Sequence, residues 1–346
     1  MSERKQRQKE NSSPAPVKVK ALVIGAGFGG MAAALRARSL GHEVTIVDRC
    51  TRLGGRAQVF ERGGFRHDAG PTVITAPFLL DQLFELFDRD RAEAIKLIPL
   101  DPWYRFVYPD GDHFDYGPTK AATIKEIRRI SSVDEKGYRS LVAESKDLYE
   151  LGFETLADQP FDRFSRMLSQ VPAMLRLKAY RSVWQLVCSH LKDDKLRRAF
   201  SIQPLLLGGN PFDTTAIYNL IHYLEVAHGI WFAKGGTGAI VDGLGHLMRD
   251  VGIIIRLNET VSKINSHDGR ATGITLQGGE EIPADYIISN TDPAHLYESL
   301  IPSAQQPRAL RAKRRMLNLC FLSGRTAAIR MLSTTPSGSE SVIGHC

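Results

Sequence analysis

Cysteine is scarce in this 346-residue chain, and the four present (Cys50, Cys188, Cys320 and Cys346) stand far apart. They make neither a C-x-x-C pair nor a disulfide framework, so a reducing, cytosolic setting fits them best. Long hydrophobic runs are missing too. The longest apolar run without a charge, Ala21 to Leu35, has 15 residues and is cut by four glycines, too short for a transmembrane helix. The first twenty residues contain no apolar stretch, which argues against a secretory signal. No internal repeat of solenoid or propeller period occurs. Nor is there an excess of one charge through the body of the chain. The net charge is +7, but residues 1–20 carry +4 and residues 291–346 another +4, leaving −1 between them. A nucleic-acid groove is therefore not expected, and the basic ends are solvated, with at most a weak pull toward anionic lipid.

What is present reads as a globular α/β protein: 43% hydrophobic and 24% charged residues, with 30 glycines. After a basic tail over 1–17, Lys20-Ala-Leu-Val-Ile-Gly25 has the all-apolar character of a buried parallel strand. Gly25-Ala26-Gly27-Phe-Gly29-Gly30 follows, then a helix-like stretch from Met31 closed by Gly41, then a second strand, Glu43–Asp48. This is one βαβ unit. In the G-x-G-x-x-G string, Gly25 permits the tight exit from the strand. Gly27 lets a pyrophosphate approach the backbone, and Gly30 lets helix and strand pack closely. Asp48 lies eighteen residues past Gly30, where a carboxylate can accept hydrogen bonds from a ribose diol. The string alone leaves NAD and FAD open.

Downstream, Tyr104–Tyr116 reads as a hairpin turning at Pro109-Asp110-Gly111. Residues 119–228 are mostly helical, residues 238–251 form one more helix, and short strands follow over 253–257, 260–264, 271–276 and 286–289. Ala173, Leu177, Tyr180, Trp184, Val187 and Leu191 fall on one face of a continuous helix, flanked by Arg176, Lys178, Arg181 and Lys192. That face suits a lipid interface. Ordinary core packing produces the same pattern and is the reading favoured here. His67, His222 and His228 stand singly, without ligand spacing, so structural roles and no metal are expected.

Leu53-Gly54-Gly55-Arg56-Ala57 and Asp68-Ala-Gly70-Pro71-Thr72-Val-Ile-Thr75 complete the pattern. A Gly-Gly turn followed by a guanidinium suits a loop closing over a pyrophosphate. With the Rossmann string, these segments resemble the flavoprotein superfamily of amine oxidases and carotenoid desaturases. Leu207-Gly-Gly-Asn-Pro-Phe212, Trp231-Phe-Ala-Lys-Gly-Gly-Thr-Gly238 and Asn258-Glu-Thr-Val261 make the wording similar to bacterial-type phytoene desaturases, from about Lys20 to Arg315. The resemblance implies FAD, with Asp48 at the adenosine ribose and the Val261 backbone at the adenine. It places Gly25, Ala26, Gly27, Gly29, Gly30, Gly55 and Arg56 at the pyrophosphate, and Gly70, Pro71 and Thr72 beside the isoalloxazine. It implies desaturation of phytoene or a related long polyene by hydride transfer to the flavin, with no catalytic acid or base assigned. A flavin amine oxidase, or a remnant that at most binds nucleotide, are the alternative readings. The implied fold is a Rossmann-like FAD-binding domain (18–100 and 229–290) with an inserted, mostly helical substrate domain (101–228) and a short β-meander. Residues 291–315 would begin a second substrate segment. Residues 316–346, Ser/Thr-rich and unlike the family, are expected to be a tail replacing a missing C-terminal part, as a frame shift or early stop would produce. A cytoplasmic protein, with peripheral contact to the inner face of the membrane as an option, completes the expectation.

Overall fold

The computed structural model describes residues 19–70, 72–156 and 168–302. The expected tail over 1–17, Pro71, and everything from 303 onward lie outside the described residues. The described chain divides into two compact units, one of residues 19–55 and 244–302, the other of residues 56–243.

In the first unit four parallel strands stand in the order Tyr286–Ser289, Lys20–Ile24, Glu43–Val47, Ile254–Arg256. Val23 is in register with Ile288 on one side and Ile46 on the other. Covered on both faces, the first strand buries Leu22, Val23 and Ile24 completely or nearly so, which is why it reads as an unbroken apolar run. The helix Phe28–Ser39 links the first two strands and buries Met31, Ala34 and Leu35, small side chains alternating with large. An antiparallel meander, Val261–His267, Arg270–Leu276 and Glu281–Pro283, packs Ile264 and Ile274 against Leu22, Ile24 and Val47. Its first turn is Asp268-Gly269, both with positive φ (47° and 75°), the conformation a two-residue hairpin needs.

The second unit joins three small antiparallel strand pairs to a helical body. Val59–Arg62 pairs with Phe65–Asp68, Leu97–Pro99 with Trp231–Ala233, and Tyr104–Val107 with His113–Tyr116. Helices Lys120–Ile130, Glu135–Tyr149, Val183–His190 and Leu220–His228 surround a core that includes Phe114, Ile127, Leu141, Leu186 and Phe200. The continuous helix expected through 173–191 is corrected here. A helix ends at Arg176, Lys178 adopts positive φ (49°), and a new helix starts at Val183. Ser182 caps it in a reciprocal capping box with Gln185, which fixes a helix start and interrupts the run. Of the expected face, Val187 and Leu191 are wholly buried in the core, Ala173, Leu177 and Trp184 are half-buried, and Tyr180 is exposed.

Candidate functional site

The glycine turn sits at the carboxyl end of the first strand, flanked on opposite sides by the strands beginning at Glu43 and Tyr286. That is the point where strand order reverses, and open parallel sheets bind ligands there. Gly25 (φ +95°) leaves the strand with its amide on Val47 O at 2.8 Å. A Cβ on Gly30 would collide with the carbonyl oxygen of Gly25, so helix and strand approach as closely as backbones allow. Gly27 is the helix N-cap and supplies no side-chain cap, and the first turn holds no acid. The first helical bond is Met31 N to Gly27 O (2.9 Å), so the amides of Phe28, Gly29 and Gly30 precede it at the positive end of the helix.

Asp48 stands beside this turn. Its Oδ2 accepts from Ala26 N (2.5 Å) and its Oδ1 from Cys50 N (2.8 Å). One bond to each oxygen orients the carboxylate and leaves lone pairs for further donors. Gly54 N donates to Ala26 O (2.9 Å), and Gly55, at φ +56°, is so close to Gly27 that a Cβ would lie 3.0 Å from its Cα. Asn258 N and Glu259 N donate to Cys50 O and Asp48 O (2.9 and 3.0 Å), which brings the start of the strand at Val261 alongside Asp48. Gly25, Ala26, Gly27, Gly29, Gly30, Asp48, Gly55 and Val261 thus come together within the first unit.

Arg56, Gly70 and Thr72 belong to the second unit, and Pro71 lies outside the described residues. Arg56 and Thr72 are exposed. Gly70 is pressed on the preceding turn: a Cβ there would lie 2.7 Å from Arg56 O and 3.0 Å from Ala57 Cα. In the same segment Asp68 accepts from Thr237 N (3.0 Å), capping the helix Thr237–Asp250 from outside.

Two features escaped the sequence reading. Asn290, directly after the last strand, donates its amide to Ile24 O (2.8 Å) and lays its side chain along the glycine turn. A Cβ on Gly29 would come 2.5 Å from its Oδ1, and one on Gly27 3.3 Å from its Nδ2. Its signal was positional: a polar residue ending a strand that neighbours the first one stands at the switch point. The second feature lies inside the helical unit, where Gln203, Asn219, His222 and Glu225 are 0% exposed. Tyr104 OH donates to Glu225 Oε1 (3.3 Å), Tyr116 OH meets His222 Nδ1 (3.0 Å), and Asn219 Nδ2 donates to Ser145 Oγ (2.6 Å). Burial pushes the Glu225 carboxyl up to about 8 and the His222 imidazole down to about 3, so it favours the uncharged form of both. Five polar atoms of this stripe, Gln203 Nε2 and Oε1, Asn219 Oδ1, His222 Nε2 and Glu225 Oε2, have no hydrogen-bond partner. Each such group left unpaired costs about 1–3 kcal/mol. His222 is accordingly more than a bland core histidine. Among the described residues no three His, Cys, Asp or Glu side chains are grouped to hold a metal ion.

The model of the family described as flavin containing amine oxidoreductase matches residues 28–328. The chain is 41% identical over 306 residues to the lycopene-forming phytoene desaturase of Paracoccus sp. (strain N81106 / MBIC 01143), covering 87% of this chain and 61% of that protein. It is 38% identical over 305 residues to the lycopene-forming phytoene desaturase of Pantoea ananas, covering 87% and 62%. The chain therefore spans about three fifths of the length of these curated relatives. Among solved structures, putrescine oxidase bound to putrescine superposes with a TM-score of 0.57 at 18% identity, over 84% of this chain and 62% of that one. An oxidoreductase from Methanosarcina mazei gives 0.55 at 20% identity, over 85% and 63%. These likenesses establish the amine oxidase fold, an α/β architecture in agreement with the expected Rossmann-like unit, a mostly helical companion and a meander. The family implies a flavin cofactor. On sequence and on fold, the chain belongs to the flavin containing amine oxidoreductases.

Proposed function

We propose that this chain is the FAD-binding and substrate-facing portion of a carotenoid desaturase that acts on phytoene or a related long polyene. The observation that carries the reading is the 41% identity, over 306 residues, to a relative named as a lycopene-forming phytoene desaturase. The amine oxidase alternative has the broad family description and a structural likeness of 18% identity behind it, whereas the relatives of 38–41% identity are named as phytoene desaturases.

The residues fit the dinucleotide. Amides of Phe28, Gly29 and Gly30 lie ahead of the first helical bond, at the end of the dipole that attracts a pyrophosphate. A side chain on Gly27 or Gly29 would crowd the space beside Asn290. Asp48, anchored by two amides, keeps acceptor capacity for the ribose diol, and Val261 stands beside it for the adenine. Gly55 and Arg56 are assigned to the pyrophosphate, and Gly70, Pro71 and Thr72 to the ring system, on family resemblance. When bound, the flavin supplies the hydride acceptor that turns a C–C single bond into a double bond. The chain's part is to position the polyene and keep water from it.

A polyene substrate resides in lipid, and the helical unit carries a matching surface. Leu168 (50% exposed), Val171 (40%), Met174 (37%), Leu175 (58%) and Tyr180 (71%) are apolar and open to solvent, with Arg176 and Lys178 among them. An apolar face with basic neighbours favours peripheral contact with an anionic membrane. Among the described residues no helix is long and apolar enough to cross one. Two measurements test the reading. Purified protein should release FAD on denaturation, and a phytoene-accumulating host expressing the chain should gain more conjugated carotenoids. Flavin-free protein removes the cofactor assignment. Flavin-loaded protein with unchanged phytoene removes the substrate.

A further inference from the structure

Asn219, His222 and Glu225 are spaced three apart, so they share one face of the helical segment that includes Leu220–His228. Such a polar stripe belongs on a surface, yet all three are 0% exposed. Around them stand the rings of Tyr116, Tyr138 and Phe200, each within 5.8 Å of the His222 ring. Direct bonds satisfy part of the stripe only. Gln203 is near enough to Glu225 to favour its charge somewhat, but neither amide atom of Gln203 completes a hydrogen bond. The five orphaned atoms include donors and acceptors on four side chains, the mixture that a small amphoteric molecule satisfies. Water is that molecule. The side chain that donates to Glu225, Tyr104, is itself only half-buried, and its hydroxyl links the carboxyl to the hairpin Tyr104–Tyr116.

We propose that the Gln203–Asn219–His222–Glu225 cluster is a hydrated proton-holding site. Internal water bridges Gln203, His222 and Glu225, and Glu225 exchanges its proton with the surface through the hydroxyl of Tyr104. The groups that face Glu225 from other elements are Tyr104 and Tyr116 on the hairpin, Tyr138 on the helix Glu135–Tyr149, and Gln203; His222 is its neighbour on its own helix. None of the ion pairs among the described residues involves Glu225. Burial therefore favours the uncharged acid, and the Tyr104 bond partly offsets this by steadying the carboxylate. Any part in taking up the proton that desaturation releases rests on the function proposed above. The site itself does not, and its test uses no substrate.

Infrared difference spectra of the full chain, wild type against Glu225→Gln, provide that test. At pH 6 the wild type should show a protonated-carboxyl C=O band, sensitive to D2O, that is absent from the variant and titrates with a midpoint near pH 8. In Tyr104→Phe, which loses only a hydroxyl, the midpoint should move up and deuterium exchange of the band should slow. An experimental crystal structure should place ordered water within hydrogen-bond distance of Gln203, His222 and Glu225. No carboxyl band at pH 6 would show an ionised Glu225 and overturn the proposal. So would a dry cluster with direct side-chain pairs, or exchange in Tyr104→Phe as fast as in wild type. Should Glu225→Gln fail to fold, the wild-type titration and the Tyr104→Phe shift decide alone.

Discussion

At the scale of single residues, the glycine turn and Asp48 carry the sharpest expectations. Gly30 admits no side chain, since its Cβ position overlaps Gly25 O. Gly30→Ala must push the helix Phe28–Ser39 off the first strand, and overpacking of this kind costs about 1–3 kcal/mol or more. The free energy of unfolding should fall by that amount, and flavin content should fall with it. A variant as stable as wild type would mean that the helix yields without strain. Asp48→Ala removes two backbone-anchored bonds as well as the proposed ribose contact. FAD affinity should drop by about 1.5–3 kcal/mol, the scale of a hydrogen bond to a charged group. Equilibrium dialysis showing unchanged affinity would reassign Asp48 to the fold alone. Both residues were legible in the sequence, because spacing within a βαβ unit is local information. Asn290 was not: its role arises from a strand pairing between positions more than 260 residues apart, Ile24 and Ser289.

At the scale of elements, legibility failed where a local stop signal competed with an apolar period. Residues 173–191 carry a continuous helical stripe, yet Ser182-x-x-Gln185 starts a new helix and splits it. The open apolar face consequently lies earlier, on the short helix Val171–Arg176 and its flanks, while Trp184 packs on Phe212 with ring centroids 5.0 Å apart. Leu175→Glu, at a 58% exposed position, should reduce sedimentation with anionic vesicles and leave the melting temperature unchanged. Loss of vesicle binding only on removal of residues 1–17 would move the contact to the basic tail. The helix Leu220–His228 raises a different matter, since polar residues three apart read as a solvated face and only tertiary packing buries them. Its pH signature has a definite sign. Glu225 is raised in the fold from 4.5 to about 8, so the unfolded chain loses its proton first and stability declines as pH rises through that window. His222 is lowered from 6.5 to about 3, so the unfolded chain gains a proton first and stability declines as pH falls through that window. Where the windows overlap, between 4.5 and 6.5, the two slopes oppose each other. The contribution of this pair should therefore be flattest there and fall on either side. In Glu225→Gln the alkaline decline should flatten while the acid limb stays; an unchanged alkaline limb would assign that decline to other groups.

At the scale of the whole molecule, the class of fold was legible in the sequence, and the compact units add where strand pairing divides the described chain. The boundaries at 100/101 and 228/229 follow the function each segment would have. The compact units divide in sequence at 55/56 and 243/244, a grouping by contact rather than by function. Pairing explains that grouping: Val59–Arg62 has its partner in Phe65–Asp68 and Leu97–Pro99 in Trp231–Ala233, so these segments belong with the helices between them. Each unit has its own core, one around Leu22, Ile264 and Ile287, the other around Phe114, Leu141 and Phe200. Two cores allow two unfolding transitions, and a ligand stabilises the part of the chain that holds it. FAD at a hundred times its dissociation constant contributes about 2.7 kcal/mol to that part, which for a unit of this size raises its melting temperature by roughly 10–20 °C. Calorimetry of flavin-depleted protein with and without added FAD should show such a rise in the transition that includes residues 19–55, followed by hydrogen exchange in the strand Lys20–Ile24. In Asp48→Ala the same FAD concentration should raise it less. A rise confined to the helical unit, with the first strand's exchange unaffected, would place the nucleotide away from the glycine turn and refute the assignment of Gly25–Gly30 as its cradle.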